Sequence, residues 1–156
     1  MTYVFDNCAF SKLKHYYPSV FNTLWKGLDQ LVADGSLVST REVWNELQRG
    51  EPNVHVDKWI KSCQQIFAIP APQELACVAE IFSVKHFQAV IRQKSMLVGT
   101  PVADPFVIAA ARVKKGVVVT EEQAKPNGAK IPNICAHFSV ECLNLEQFMQ
   151  RQRWSF

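Results

Sequence analysis

The chain has 156 residues, of which 48% are hydrophobic, and its formal net charge at pH 7 is +3. A chain of this length and apolar content can bury one sizeable core, so we expect a single domain over residues 1–156. The mild positive charge permits an anionic partner without requiring one. No apolar run approaches the roughly 20 residues of a membrane span, and the first residues lack the basic-then-apolar layout of a signal peptide. These features predict a cytoplasmic protein that does not associate with membranes.

The five cysteines argue against two kinds of small scaffold. Their number is odd and no two of them form a CxxC pair, which disfavours both a disulfide framework and a zinc site. Reduced thiols in the cytoplasm fit this usage.

The N-terminal part of the chain predicts a strand, a helix and a second strand. Tyr3–Phe5 is a short apolar run typical of a buried strand, and Leu37–Thr40 predicts the next one. Between them apolar residues recur at helical spacing after Pro18, which we expect near the helix start, and Gly35 is a stop signal. This is a β-α-β unit, whose crossover is nearly always right-handed.

The middle of the chain predicts mostly helices. Ser39 and Glu42 match a capping box, which starts a helix that ends at Gly50. Helical spacing returns over 56–65, and Ile66–Pro70 predicts a third strand at an edge because proline cannot continue a ladder. Two further helices follow, the second with several basic residues that would ordinarily form a solvated face.

The C-terminal part completes an alternating pattern. Asp104 and Pro105 open a strongly apolar helix, with Asp104 suited to the N-cap. Val117–Val119 predicts a fourth strand that ends in Thr120. A short helix from Pro132, a strand in ECLNL and a last helix follow. Strands that alternate with helices predict a parallel α/β sheet.

Acidic residues lie where the predicted strands end. Asp6 follows the first strand, Glu46 lies beyond the second, Asp104 heads the helix that leads to the fourth, and Glu121 and Glu122 follow the fourth. Ligands of open α/β sheets bind at this edge, so we expect these carboxylates to meet. Each also has a structural interpretation: Asp6 and Asp104 could cap helices, and the glutamates could be surface acids.

Clustered carboxylates repel one another, and a hard divalent cation is the usual remedy. Mg²⁺ and Mn²⁺ prefer oxygen ligands, and two such ions about 4 Å apart support in-line cleavage of a phosphodiester. A phosphorelay receiver also has acids after its first strand, but here the third strand lacks a phosphoacceptor Asp and no Lys follows the fifth.

Four segments, VFDNCAF, VSTREVWNELQRG, VADPFVIAAA and VVVTEE, resemble the acidic motifs of the PIN (PilT N-terminal) domain superfamily. The resemblance runs over nearly the whole chain. It is closest to a PIN-like branch of prokaryotic proteins of formerly unknown function that often carry DPFVIA, VTEE and an IP..C..F.V.C.N pattern, present here as KIPNICAHFSVECLNLEQF. The resemblance implies an α/β three-layer sandwich with about five parallel strands in the order 3-2-1-4-5, flanked by helices.

The resemblance also implies an activity, cofactors and partners. It indicates a Mg²⁺- or Mn²⁺-dependent endoribonuclease that binds one or two ions, commonly the toxin of a type II toxin–antitoxin pair, as in VapC-type toxins. The implied partners are RNA, a cognate antitoxin protein and a second copy of the chain.

Metal binding and catalysis are implied for four acids, Asp6, Glu46, Asp104 and Glu122. The fourth acid of the family usually follows a threonine by two positions, which selects Glu122 after Thr120 and leaves Glu121 as the alternative. The Thr120 hydroxyl would orient water or a ligand.

The chain departs from the family pattern at two places. The family usually reads Asp-Thr/Ser-Asn where this chain reads Asp6-Asn7-Cys8, and its fourth acid is more often Asp than Glu. Asn7 could still hydrogen-bond water near a metal, and Cys8 could simply pack. These departures support a second hypothesis, a catalytically weak PIN-like domain that binds RNA or a protein.

Basic residues near the acidic edge would hold RNA by its phosphates. The residues expected to do so are Lys12, Lys14, Arg92 and Lys94. Tyr16 and Tyr17, beside the first two in the segment after Asp6, could stack on splayed bases.

Overall fold

One parallel five-stranded sheet organises the computed structural model, which describes residues 1–156. The strands are β1 (Tyr3–Phe5), β2 (Leu37–Thr40), β3 (Phe67–Ala68), β4 (Val117–Val119) and β5 (Glu141–Leu143). Their order is β3-β2-β1-β4-β5, and every neighbouring pair is parallel. The predicted α/β class and strand order are confirmed, and β1 is the central strand.

Nine α-helices cover the sheet. They are α1 (Asn7–Lys12), α2 (Asn22–Ala33), α3 (Arg41–Arg49), α4 (Val54–Ser62), α5 (Pro72–Ser83), α6 (Lys85–Val98), α7 (Asp104–Lys114), α8 (Ile131–His137) and α9 (Leu145–Arg151). Short 3-10 turns follow α1 at Leu13–His15 and α4 at Gln64–Ile66. None of these helices has both the length and the apolar character needed to cross a bilayer.

The boundaries of several elements differ from the sequence prediction. The segment after Asp6, for which no helix was predicted from the sequence, forms α1, and α2 begins at Asn22, four residues beyond Pro18. Only two residues of the third strand pair with β2, because Ile66 belongs to a 3-10 turn and Ile69 turns outward with 72% exposure. Gly35 takes a φ of 76° directly after α2, a left-handed conformation that suits the predicted stop.

The predicted capping box at the start of α3 is wrong by one residue. Thr40 is the N-cap, and its side chain accepts a hydrogen bond from the Val43 N–H. Ser39 points into the sheet and donates instead to the Phe5 carbonyl at 2.7 Å. The Glu42 carboxylate pairs with Arg41 at 2.8 Å. The strand therefore continues through Ser39, and the hydroxyl of Thr40 caps the helix.

The core packs on both sides of β1. Val4 and Phe5 are fully buried, and Phe148 of α9 meets Tyr3 and Phe5 edge-to-face at ring distances of 5.0 Å. Helix α7 contacts the strands as well as α5 and α8, and most of its residues are buried. Burial on nearly every side fixes α7, and with it the position of Asp104 at its first turn.

Candidate acidic site

The site lies at the carboxyl edge of the central strands. Asp6 directly follows β1, and its backbone N–H donates to the Val119 carbonyl of β4 at 3.0 Å. Thr120 follows β4 and is 1% exposed. The ends of the two central strands therefore hold Asp6 and Thr120 side by side.

Asp6 is a buried carboxylate, only 4% exposed. It occupies the N-cap position of α1, but its side chain makes no capping hydrogen bond. Its Oδ2 accepts hydrogen bonds from the Thr120 hydroxyl at 3.0 Å and the Cys8 thiol at 2.8 Å. Burial, with the negative charge of Asp104 second, raises the pKa of Asp6 to about 7, although these hydrogen bonds act against the shift. The charged form of Asp6 is therefore costly in the metal-free protein.

Glu46 reaches the same region from α3. Its Oε1 accepts the Ala103 N–H at 2.8 Å, and its Oε2 accepts the Asn7 amide at 3.2 Å. Burial raises the pKa of Glu46, and the charge of Asp104 acts in the same direction. Glu46 thus lies close to the start of α7 and carries part of the unfavourable charge of the site.

Asp104 occupies the first turn of α7 but does not cap it, contrary to the sequence expectation. The N-cap residue is Ala103, and no side chain caps this helix. The Asp104 Oδ2 instead lies 3.1 Å from the Nζ of Lys94. The carboxylate therefore forms an ion pair with a lysine of α6 and makes no capping hydrogen bond.

Lys94 is therefore part of the site and not of a solvated face. Its side chain is 30% exposed. Burial opposes its charge, but Asp104, followed by Glu122 and Asp6, outweighs burial and raises the pKa of Lys94. Three of the four proposed acids thus raise the pKa of the same ammonium group.

The two glutamates after β4 have different surroundings. Glu121 accepts the Leu145 N–H at 2.7 Å through Oε1, and its Oε2 pairs with Lys12 at 2.8 Å. The Oε2 of Glu122 accepts the Ile131 N–H at 2.8 Å. Because Glu122 acts on Lys94 and both Glu121 oxygens are bound elsewhere, these surroundings favour Glu122 as the fourth acid.

Sequence reasoning missed the roles of Cys8 and Lys94. The Cys8 sulfur lies 2.8 Å from the Asp6 carboxylate and 3.1 Å from the Thr120 hydroxyl, and it accepts the Glu121 N–H at 3.2 Å. Burial, with the charge of Asp6 second, raises the pKa of Cys8 to about 12, so it remains a thiol. The place of Cys8 two residues after Asp6 was the available signal, whereas no spacing rule links Lys94 to Asp104.

The other basic residues expected to contact RNA have separate locations. Lys12 is paired with Glu121. Lys14 lies on the rim of a cleft of about 240 Å³ that Asn7 also lines. Arg92 lines a different cavity of about 710 Å³ beside Gly99 and Pro101. Lys94 therefore pairs directly with one of the four proposed acids, and Lys14 lines the same cleft as Asn7.

The donor set fits a hard divalent cation in its chemistry. The acids offer oxygen ligands, which Mg²⁺ and Mn²⁺ prefer. Burial is the main cause of the raised pKa values of Asp6 and Glu46, and the negative charge of Asp104 adds to it. No three acidic, histidine or cysteine side chains are arranged closely enough to form a ready-made metal site. Asp6, Glu46, Asp104 and Glu122 are the residues that would hold the ion.

Two solved structures align with most of this chain. VapBC2 from Rickettsia felis, determined bound to a DNA fragment from its promoter, aligns at a TM-score of 0.50 and 12% identity over 92% of this chain and 98% of that chain. PAE2754 from Pyrobaculum aerophilum aligns at a TM-score of 0.48 and 15% identity over 97% of this chain and 96% of that chain. No curated protein matches.

These comparisons establish the fold and the family. At such low identity the likeness to VapBC2 concerns the fold alone, which is PIN-like, as the resemblance of the sequence implied. A family model described as "Domain of unknown function (DUF4411)" matches residues 3–156. The chain belongs to this DUF4411 family.

Proposed function

We propose that this chain is a Mg²⁺- or Mn²⁺-dependent endoribonuclease that hydrolyses RNA phosphodiester bonds, acting as one PIN-like domain over residues 1–156. The observation that carries the proposal is the buried Asp6, which faces the charge of Asp104 at the carboxyl edge of the central strands. A protein gains nothing in stability from two neighbouring buried carboxylates unless a cation offsets them. Such pairs are typical of functional sites.

The side chains divide the work of the site. Asp6, Glu46, Asp104 and Glu122 would hold the cation, which, when bound, supplies positive charge to stabilise the phosphate in the transition state.

The Thr120 hydroxyl and the Cys8 thiol fix the orientation of the Asp6 carboxylate. Asn7 and the Ala103 N–H do the same for Glu46. Lys14 is exposed and lines the same cleft as Asn7, and its ammonium would bind an RNA phosphate.

We also propose that the nuclease is the toxin of a type II pair in the cytoplasm. The support is the PIN-like fold shared with VapBC2 together with the acidic motifs. The partner would then be an antitoxin protein encoded next to this chain, and a second copy of the chain is a further expected partner. Co-purification with the product of the adjacent gene tests this part separately from the chemistry.

Cleavage of RNA by the purified protein tests the activity. We expect cleavage with Mg²⁺ or Mn²⁺, none after EDTA, and recovery when the metal is restored. Asp6→Asn should reduce cleavage to background, because an amide has the shape of the carboxylate but lacks its charge. Asp34→Asn is the matched control, since Asp34 is exposed and lies outside the acid set. If Asp6→Asn cleaves as fast as the wild type, the proposal is wrong.

The second candidate function, a PIN-like module that binds RNA or protein without strong catalysis, has two observations in its favour. No three potential ligands form a ready-made metal site, and Lys94 already pairs with Asp104. Calorimetric titration with Mn²⁺ and RNA separates the two functions. A module would bind RNA without Mn²⁺ and would leave it intact.

A further inference from the structure

The acidic site contains its own cation. The Lys94 Nζ lies 3.1 Å from the Asp104 Oδ2, and the charges of Glu122 and Asp6 also favour the ammonium form of Lys94. This side chain comes from α6, a different helix from any that carries the proposed ligands. The ammonium therefore lies among carboxylates that arrive from separate elements, where a divalent ion would be expected.

The pairing has a clear physical origin. Asp6 and Asp104 are both largely buried, and Glu46 lies beside the first turn of α7. Without a counter-charge, these groups would repel one another and destabilise the metal-free fold. One lysine offsets part of this repulsion. Asp104 accordingly forms an ion pair with Lys94 and makes no capping hydrogen bond to its own helix.

The Lys94 side chain can also move away from Asp104. Its side chain is 30% exposed, and lysine carries its charge on a flexible four-carbon stem. The ammonium can turn to solvent without unfolding α6. A divalent ion that binds the Asp104 Oδ2 would repel the ammonium from that oxygen, because two cations so close to one carboxylate oxygen repel each other.

We propose that Lys94 is a tethered counter-cation of the metal-free site, and that a divalent ion displaces it from Asp104 on binding. The inference rests on the proposed metal-dependent function, and it goes further by naming a residue that sets metal affinity. Lys94 is thus a positioning residue for Asp104 that stabilises the empty site and weakens metal binding. The site then fills at a higher metal concentration than a site with the same acids but without Lys94 would.

Mn²⁺ binding by a charge-removing variant tests the proposal. In Lys94→Met the stem remains but the ammonium is absent, so we expect the Kd for Mn²⁺, measured by calorimetry on EDTA-stripped protein, to fall by about tenfold, a modest fraction of an unscreened charge interaction. Thermal unfolding should show a lower Tm without metal and a larger rise on adding Mn²⁺. Lys85→Met is the matched control on the same helix, because Lys85 is exposed and forms no ion pair.

The outcomes separate this inference from the proposed function. If wild type and Lys94→Met bind Mn²⁺ equally, or the variant binds it more weakly, Lys94 does not compete and the inference is wrong while the nuclease proposal stands. If neither binds Mn²⁺, both fail. Lys94→Gln serves if Lys94→Met does not fold, and Lys94→Arg, which keeps the charge, should bind Mn²⁺ no more tightly than the wild type.

Discussion

The Thr120 hydroxyl donates a hydrogen bond of 3.0 Å to the Asp6 carboxylate, although 114 residues separate the two in the chain. Both are buried and lie directly beyond the ends of the neighbouring strands β1 and β4. The same hydroxyl accepts the Glu122 N–H at 3.2 Å. Thr120 therefore couples the first acid of the site to the backbone of the fourth.

Removal of this hydroxyl should destabilise the protein and impair the site. In Thr120→Val the buried Asp6 loses a donor, which costs about 1–3 kcal/mol in the free energy of unfolding. RNA cleavage should also fall, since Asp6 is no longer held in one orientation. Thr120→Ser keeps the hydroxyl and should retain most of both. Urea unfolding above about pH 8 and cleavage assays measure the two effects, and equal behaviour of Val and Ser at this position would contradict the role.

The raised pKa of Asp6 makes the stability of the metal-free protein depend on pH. Its ordinary value of 3.8 applies to the unfolded chain, and the folded value is about 7. Between these values the folded state keeps a proton that the unfolded state has released, so the free energy of unfolding falls as pH rises. At 1.36 kcal/mol for each unit of difference, the loss is at most about 4 kcal/mol.

Urea unfolding in EDTA at about pH 5 and about pH 8 checks this expectation. The wild type should be more stable at the lower pH, and Asp6→Asn should remove most of the difference because its amide does not ionise. Asp34→Asn, which changes an exposed acid outside the site, should behave as the wild type does. A wild type that gains stability between these two pH values would show that Asp6 is already ionised in the folded state.

The strands could be predicted from the sequence because the signals are local, whereas their order was implied by the resemblance to PIN domains. Tyr3–Phe5 and Val117–Val119 are short apolar runs bounded by polar residues, and in the structure they are buried as predicted. Their parallel arrangement follows from the helices between them. In a parallel sheet the acids that follow the strands lie at one edge, so the position of Asp6 at this edge could be predicted from the sequence.

The side-chain partners could not be predicted, because they depend on geometry that spacing does not encode. Lys94 and Asp104 lie on different helices, and the course of the chain between α6 and α7 decides whether they meet. Ser39 and Thr40 are both hydroxyl residues at a strand end. Only the side of the sheet that each faces determines which one caps α3.

Cys8 should act through its hydrogen bonds and not as a nucleophile. Its thiol donates to Asp6, and burial followed by the charge of Asp6 raises its pKa to about 12, so the thiolate is rare at neutral pH. Cys8→Ser preserves a donor and an acceptor and should keep cleavage close to the wild-type rate. Cys8→Ala leaves Asp6 and the Glu121 N–H each one partner short and should cost about 1–2 kcal/mol of stability.

Thermal unfolding and cleavage assays on the two Cys8 variants check this expectation. A Cys8→Ser protein without activity but with a normal Tm would instead indicate that the sulfur itself takes part in the chemistry.

Substitutions of the two glutamates after β4 should have different effects, one on stability and the other on activity. Glu121 joins the N-terminus of α9 to Lys12, so Glu121→Gln should lose about 0.5–1 kcal/mol of stability through the weakened helix-end interaction. It should retain cleavage and Mn²⁺ affinity. In Glu122→Gln the amide oxygen can still accept the Ile131 N–H, so the fold should persist while the missing charge lowers both cleavage and Mn²⁺ affinity.

Matched substitutions make the comparison of Glu121 and Glu122 decisive, because each change removes one negative charge and leaves the side-chain length unchanged. Calorimetric Mn²⁺ titration, cleavage rates and Tm are measured on both variants. If Glu121→Gln loses Mn²⁺ affinity while Glu122→Gln keeps it, the assignment is reversed. The Leu145 and Lys12 contacts of Glu121 would then have to break when the metal binds, because they engage both of its oxygens in the metal-free protein.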